Sequence, residues 1–161
     1  MRGRPYVGPM SRFVDPPGFA EWEAKISAVL KRDPIWRTPA YRYGVWLGDL
    51  AKADATPLYR VRESRNNADQ LIRSSEGISS NLAEGYGCFT GPERARYYGY
   101  ALTSTRETLD WYFKAREVLG TDIVEHRFEV LDRIVRILTV VIPRERRRSR
   151  RDRRPKDDDA L

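Results

Sequence analysis

His126 is the chain's one histidine, and it stands among Glu125, Arg127 and Glu129. A general base needs a nucleophile or an acid within hydrogen-bond reach, and the sequence offers none beside it. The helical periodicity around His126 predicts an exposed side chain. Cys88 is the one cysteine, in a predicted turn between two helices with no histidine expected nearby to activate the thiol. A single thiol excludes an internal disulfide and fits a reducing compartment. Metal-ligand spacing is missing: there is no Cys/His cluster and no helical Glu-x-x-His pair. Gly85, Gly87 and Gly91 lack the preceding strand and the Gly-Lys-Ser/Thr ending of a phosphate loop, so they read as turn residues. The only acid–base set left to consider is Glu84, Glu107 and His126. The expectation is a protein with no enzymatic activity, cofactor, metal or small-molecule substrate.

What remains is binding chemistry, and its raw material is arginine. Arg62, Arg65 and Arg73 fall on a second predicted helix, Arg94, Arg96, Arg106, Lys114 and Arg116 on a third, and Arg127, Arg133 and Arg136 on a fourth. Arg146, Arg147, Arg148, Arg150, Arg151, Arg153 and Arg154 follow in a run near the end. Arginine's planar fork makes bidentate phosphate contacts that lysine does not. Such contacts are largely independent of sequence and sensitive to salt. For any single body arginine a solvated or ion-paired role competes with this one, but several copies of a modest patch around a ring would form a continuous basic band.

The charge is uneven. Of the net +7, residues 144–156 hold nine basic and two acidic residues, and residues 157–159 are all Asp, which leaves 21 basic against 18 acidic in residues 1–143. Most of the polyanion attraction therefore belongs to a predicted disordered, Arg-rich tail over 144–161. Four prolines in the first 30 residues, with scattered charges, do not form a signal-peptide core, and the longest apolar run, near 137–142, is too short to span a bilayer. A cytoplasmic protein with no membrane partner is expected.

Helices must position these residues. Residues 1–17 read as an irregular arm. Phe19, Trp22, Ile26 and Val29 or Leu30 then share one face of a short helix within 18–36, ending before Asp33-Pro34. A first long helix is predicted over about 38–53, with Tyr43, Leu47 and Leu50 inward. Thr56-Pro57 reads as N-cap and first residue of a second, running to about residue 86. In it Leu71, Ile78 and Leu82 form an apolar stripe beside a small-residue ridge of Ser75, Ser79, Ala83 and Gly87, where a neighbour can come close. Asn81 and Glu84 interrupt that surface, either as packing features or, for Glu84, as a carboxylate aimed at a ligand.

Gly87 is the expected left-handed cap, and Thr90-Gly-Pro-Glu93 is a capping box opening a third helix that Gly120 stops. That helix carries two adjacent inward rows. One is Ala95, Tyr98, Leu102, Thr105, Leu109 and Tyr112; the other includes Tyr97, Ala101, Ser104, Thr108, Trp111, Ala115 and Val118. Two rows exceed what one monomer core was expected to need, which points to a subunit interface. A fourth helix starts at residue 121 or 122 and ends or kinks at Pro143.

The segment QLIRSSEGISSNLAEGYG resembles the signature of the bacterial four-helix bundle proteins, also called the 23S rRNA intervening-sequence protein family. Gln70, Arg73, Ile78, Asn81, Ala83, Glu84 and Gly85 match it, while Gly77 stands where Ser is usual. A second segment is similar to the family's third helix: Ala101, Ser104 and Glu107 match, with Thr103 in place of Gly. The resemblance covers about residues 37–143. It implies an all-α, antiparallel up-down-up-down four-helix bundle, here with an extra short N-terminal helix. Its best understood relatives, accessory proteins of diversity-generating retroelements, are basic pentamers that hold a reverse transcriptase and its nucleic acid. The resemblance thus implies a pentameric scaffold for RNA or single-stranded DNA, or for a nucleic-acid enzyme. A purely protein-binding oligomer, its tail serving solubility, is the alternative.

Overall fold

The computed structural model describes residues 15–148. Most of the predicted arm and the tail from residue 149, with Arg150, Arg151, Arg153 and Arg154, lie outside them. Among the described residues every regular element is helical: α1 (Phe19–Ala24), α2 (Ala28–Arg32), α3 (Pro39–Arg60), α4 (Arg65–Gly87), α5 (Gly91–Leu119) and α6 (Thr121–Arg147). No helix among them is long and apolar enough to cross a membrane.

The short N-terminal helix is broken in two. Ser27 takes a non-helical conformation and its side chain accepts the Val29 N–H, an N-cap that starts α2 afresh. The predicted apolar face is split with it: Phe19 is fully buried, while Val29 is 68% exposed. Phe19 lies edge-on to Tyr43 and Trp46, with the Arg42 guanidinium 5.7 Å from its ring centroid. Polar contacts tie the segment down around it. Trp22 donates to Asp49 at 2.8 Å, and Glu23 accepts from Trp36 and Arg42.

The first long helix overruns its predicted end. Pro57 lies inside α3, four residues before Val61 turns extended. A proline in the last turn and a proline in the first turn look alike locally; here Ala55 and Leu58, both fully buried, hold the turn in place despite the hydrogen bond Pro57 cannot donate. A 3-10 turn at Arg62–Ser64 then leads into α4, which at 23 residues is about 35 Å long and starts at Arg65, not at the predicted Pro57.

Gly87 is not a left-handed cap. Only Gly18 and Gly120 have positive φ among the described residues, and α4 leaves its axis through an extended Cys88. The start of α5 is as expected: the Thr90 side chain accepts the Glu93 N–H at 3.3 Å, and its hydroxyl donates to the Glu93 carboxylate at 2.7 Å. Thr90→Ala should cost about 1 kcal/mol, read as a shift in urea midpoint at unchanged m-value. Gly120, at φ 84°, is the one residue between α5 and α6.

Each long helix packs on the next, and α3 also meets α6. The two helices α3 and α4 lie close at Gly44, where an added Cβ would sit 3.1 Å from Ile78 Cγ2 and 3.4 Å from the Ser79 nitrogen. On α4, Leu71, Ile78 and Leu82 are buried as predicted. The small-residue ridge is only partly used, with Ser75 buried and Ala83 and Gly87 exposed. On α5, Ala95, Tyr98, Ala101, Thr105, Thr108, Tyr112 and Ala115 are all buried within one chain, and they come from both rows. A helix flanked by both α4 and α6 needs a stripe two rows wide, so the double row does not by itself require a second subunit.

Pro143 does not end the last helix. Ile142 and Glu145 are both buried and anchor a final turn that carries Arg144, Arg146 and Arg147. The last helix thus includes residues assigned to the tail.

Candidate functional site

The expected basic residues divide into those held inside the protein and those presented by it. Arg94 belongs to the first group, against expectation. Its guanidinium donates to Glu145 at 2.8 Å and to the Cys88 carbonyl at 2.9 Å, with the Arg94 and Glu145 side chains only 12% and 10% exposed. Arg148 closes on the other Glu145 oxygen at 2.8 Å. Arg133 is half-buried.

Outward positions remain for the others. Arg106 is exposed on α5 with no ion-pair partner among the described residues. Arg96 lies over the Tyr97 ring, Lys114 over Trp111 at 4.1 Å and Arg116 over Phe113 at 4.2 Å. Lys114 also pairs with Asp110 and Arg136 with Asp132. Arg73 donates to Gln70 from the exposed side of α4, and Arg146 and Arg147 are exposed at the end of α6. The exposed aromatics Phe89, Tyr100 and Phe113 escaped the sequence reading because they fall outside the heptad rows. The legible signal was a basic residue three positions after Phe113 or four before Tyr100, the spacing of helical neighbours.

Arg127, expected among the dispersed surface arginines, is instead the centre of an internal cluster. Its Nε and one terminal nitrogen donate to Asp54 on α3 at 2.8 and 3.1 Å, and the Tyr112 hydroxyl donates to the same carboxylate at 2.9 Å. Burial, reinforced by the Asp54 charge and hydrogen bond, drives the Tyr112 pKa far up, so the phenol stays a donor. His126 is not a bare surface residue either. Its Nδ1 lies 2.7 Å from Arg127, its Nε2 2.8 Å from the Pro17 carbonyl, and its ring is edge-on to Trp46. Arg127 can only donate, so Nδ1 accepts and the Nε2–H donates to Pro17. Glu84 and Glu107 are not among its partners, and the three do not converge.

Where α4 gives way to α5 there is a cleft of about 400 Å³, bordered by the carboxylates of Glu84 and Glu93, the rings of Phe89 and Tyr97, and Arg96. Burial, with the nearby Glu93 charge, raises the pKa of the Cys88 thiol beside it, which keeps the thiol protonated and a poor nucleophile. No group of three or more metal-ligating side chains comes together among the described residues.

A family model for the 23S rRNA-intervening sequence protein matches residues 55–140. The chain belongs to that family. No curated protein matches it. The 23S rRNA-intervening sequence match takes in the end of α3, all of α4 and α5, and most of α6, while the Phe19 segment lies before it. Several residues that carried the resemblance have structural work. Ile78 is fully buried, and Gly85 admits the Tyr98 ring, since an added Cβ would lie 2.7 Å from two of its carbons. Burial pushes the Tyr98 phenol up to about 12. Gly77, the departure from the signature, faces Ser104, whose Oγ would be 3.0 Å from an added Cβ. Asn81 donates to the Gly77 carbonyl within its own helix at 2.7 Å. Ala83, Glu84 and Glu107 are exposed.

Proposed function

We propose that the protein is a non-enzymatic homo-oligomeric scaffold, pentameric by family resemblance, that binds RNA or single-stranded DNA, or a nucleic-acid enzyme such as a reverse transcriptase, in the cytoplasm. The observation that carries this reading is the set of outward arginines with little internal work: Arg73, Arg96, Arg106, Arg136, Arg146 and Arg147. Three cation–ring pairs on α5 add to it, because arginine and aromatic side chains together suit single strands.

The scaffold itself is read as an antiparallel up-down-up-down four-helix bundle. Paired positions support this, since Ser74 meets Thr108, Gly77 meets Ser104 and Gly85 meets Tyr98, the α5 number falling as the α4 number rises. The short connections, Val61–Ser64, Cys88–Thr90 and Gly120, agree with it.

A purely protein-binding oligomer is the second reading, favoured by exposed apolar side chains such as Phe113 and Val140. Titrating the full chain with single-stranded oligonucleotides separates the two. The scaffold reading expects binding at low salt that weakens about tenfold or more between roughly 50 and 200 mM salt. Truncation after Arg148, which spares the Arg94–Glu145 pair, should weaken binding and leave the oligomer's sedimentation unchanged. No binding at low salt by the full chain sinks the scaffold reading.

A further inference from the structure

We propose that the cleft between α4 and α5 is a pocket for one unpaired guanine base of a single-stranded nucleic acid. This rests on the nucleic-acid reading above and adds a ligand class to it.

Phe89 is 96% exposed at the helix turn, on the rim of the cleft. The Phe89 ring packs on little of the fold and is free to meet a ligand, and base recognition in single strands uses a ring on which an unstacked base can lie. The second ring, Tyr97, lines the same cleft with the Arg96 guanidinium 5.5 Å from its centroid. The cleft, about 400 Å³, is shallow and open to solvent, so a base would be laid against a ring and not enclosed.

The two carboxylates decide which base. One Glu93 oxygen accepts the Thr90 hydroxyl, which fixes that carboxylate against the start of α5. The Glu84 carbonyl accepts from the Cys88 thiol, but its exposed carboxylate, which lines the cleft, has no hydrogen-bond or ion-pair partner among the described residues. A free carboxylate is an acceptor only, so it rejects a phosphate and any base edge made of carbonyls. Guanine alone presents two adjacent donors, N1–H and the N2 amine, a fork that fits a carboxylate as arginine's does. Adenine and cytosine set a single amine beside an acceptor nitrogen, and thymine and uracil flank their one N–H with carbonyls. Arg96 is then left for the phosphate that follows the base.

The test is fluorescence anisotropy on the full-length protein at low salt, using a labelled oligothymidylate and the same strand with one central dG, dA or dC. The dG strand should bind about tenfold tighter than the others, the usual size of one bidentate base contact. Glu84→Gln should abolish that preference and leave oligothymidylate affinity in place, and Phe89→Ala should weaken the dG strand by about tenfold. Both side chains are exposed, so neither change removes packing. Equal binding of all four strands, or dG affinity indifferent to both variants, overturns the pocket while the scaffold reading stands. Failure of every strand to bind overturns both.

Discussion

Asp54→Ala is expected to destabilise the protein by about 3–5 kcal/mol, the range for breaking a buried ion pair from one side. The Asp54 and Arg127 side chains are 7% and 13% exposed, so water cannot replace what the substitution removes. Two guanidinium donors and the Tyr112 hydroxyl would lose their acceptor together. Burial works against the Arg127 charge, yet Asp54 outweighs it and the Arg127 pKa is raised, so the arginine would be left charged and unpaired. His126, bonded to the same guanidinium, couples the damage to the N-terminal segment through Pro17. Tyr112→Phe deletes one bond and should cost only about 1 kcal/mol. An Asp54→Leu, Arg127→Met double variant should lose less than Asp54→Ala, because no orphaned charge remains. Urea denaturation reads all three. A loss below about 1 kcal/mol for Asp54→Ala would mean that the cluster is solvated and not structural.

Gly91→Ala should be the other severe change, costing about 3 kcal/mol, the upper end for overpacking. An added Cβ would lie 2.2 Å from the Glu145 carbonyl oxygen and 2.7 Å from Arg148 Cβ. The first obstacle is backbone, so no rotamer change relieves it and α6 must move off the start of α5. That motion pulls Glu145 from Arg94, leaving a buried arginine without its carboxylate. Gly99 is the matched control on the same helix: nothing lies within 4 Å of its added Cβ, and alanine there should be neutral or mildly stabilising. The two thermal midpoints, with hydrogen exchange over residues 142–148, decide it. Equal midpoints would show that α6 yields freely at its end.

Periodicity made the helices and much of their inward faces legible in the sequence, because 3.6-residue spacing is a local property. The Thr90 cap and the Gly120 stop were equally local. Errors arose where distant residues decide the outcome. Pro57 and Pro143 looked like boundaries, and only the burial of Leu58 and Glu145 by other helices carries each helix past its proline. Arg94 and Arg127 looked like surface charges because their partners are 51 and 73 positions away. Glu84 was legible as a candidate ligand carboxylate, because it interrupts a small, apolar surface, whereas the outward Phe89 sits in a turn and leaves no spacing to detect.

Three of the chain's four tryptophans gather around the Phe19 segment. Trp22 stacks on Trp36 at 6.1 Å and touches Trp46 at 6.4 Å, while Trp111 stands apart on α5. Intrinsic emission therefore watches the N-terminal appendage far more than the helices behind it. An optical melt and a circular-dichroism melt of the same sample follow different parts of the molecule, and any gap between the two curves measures how independently the appendage lets go.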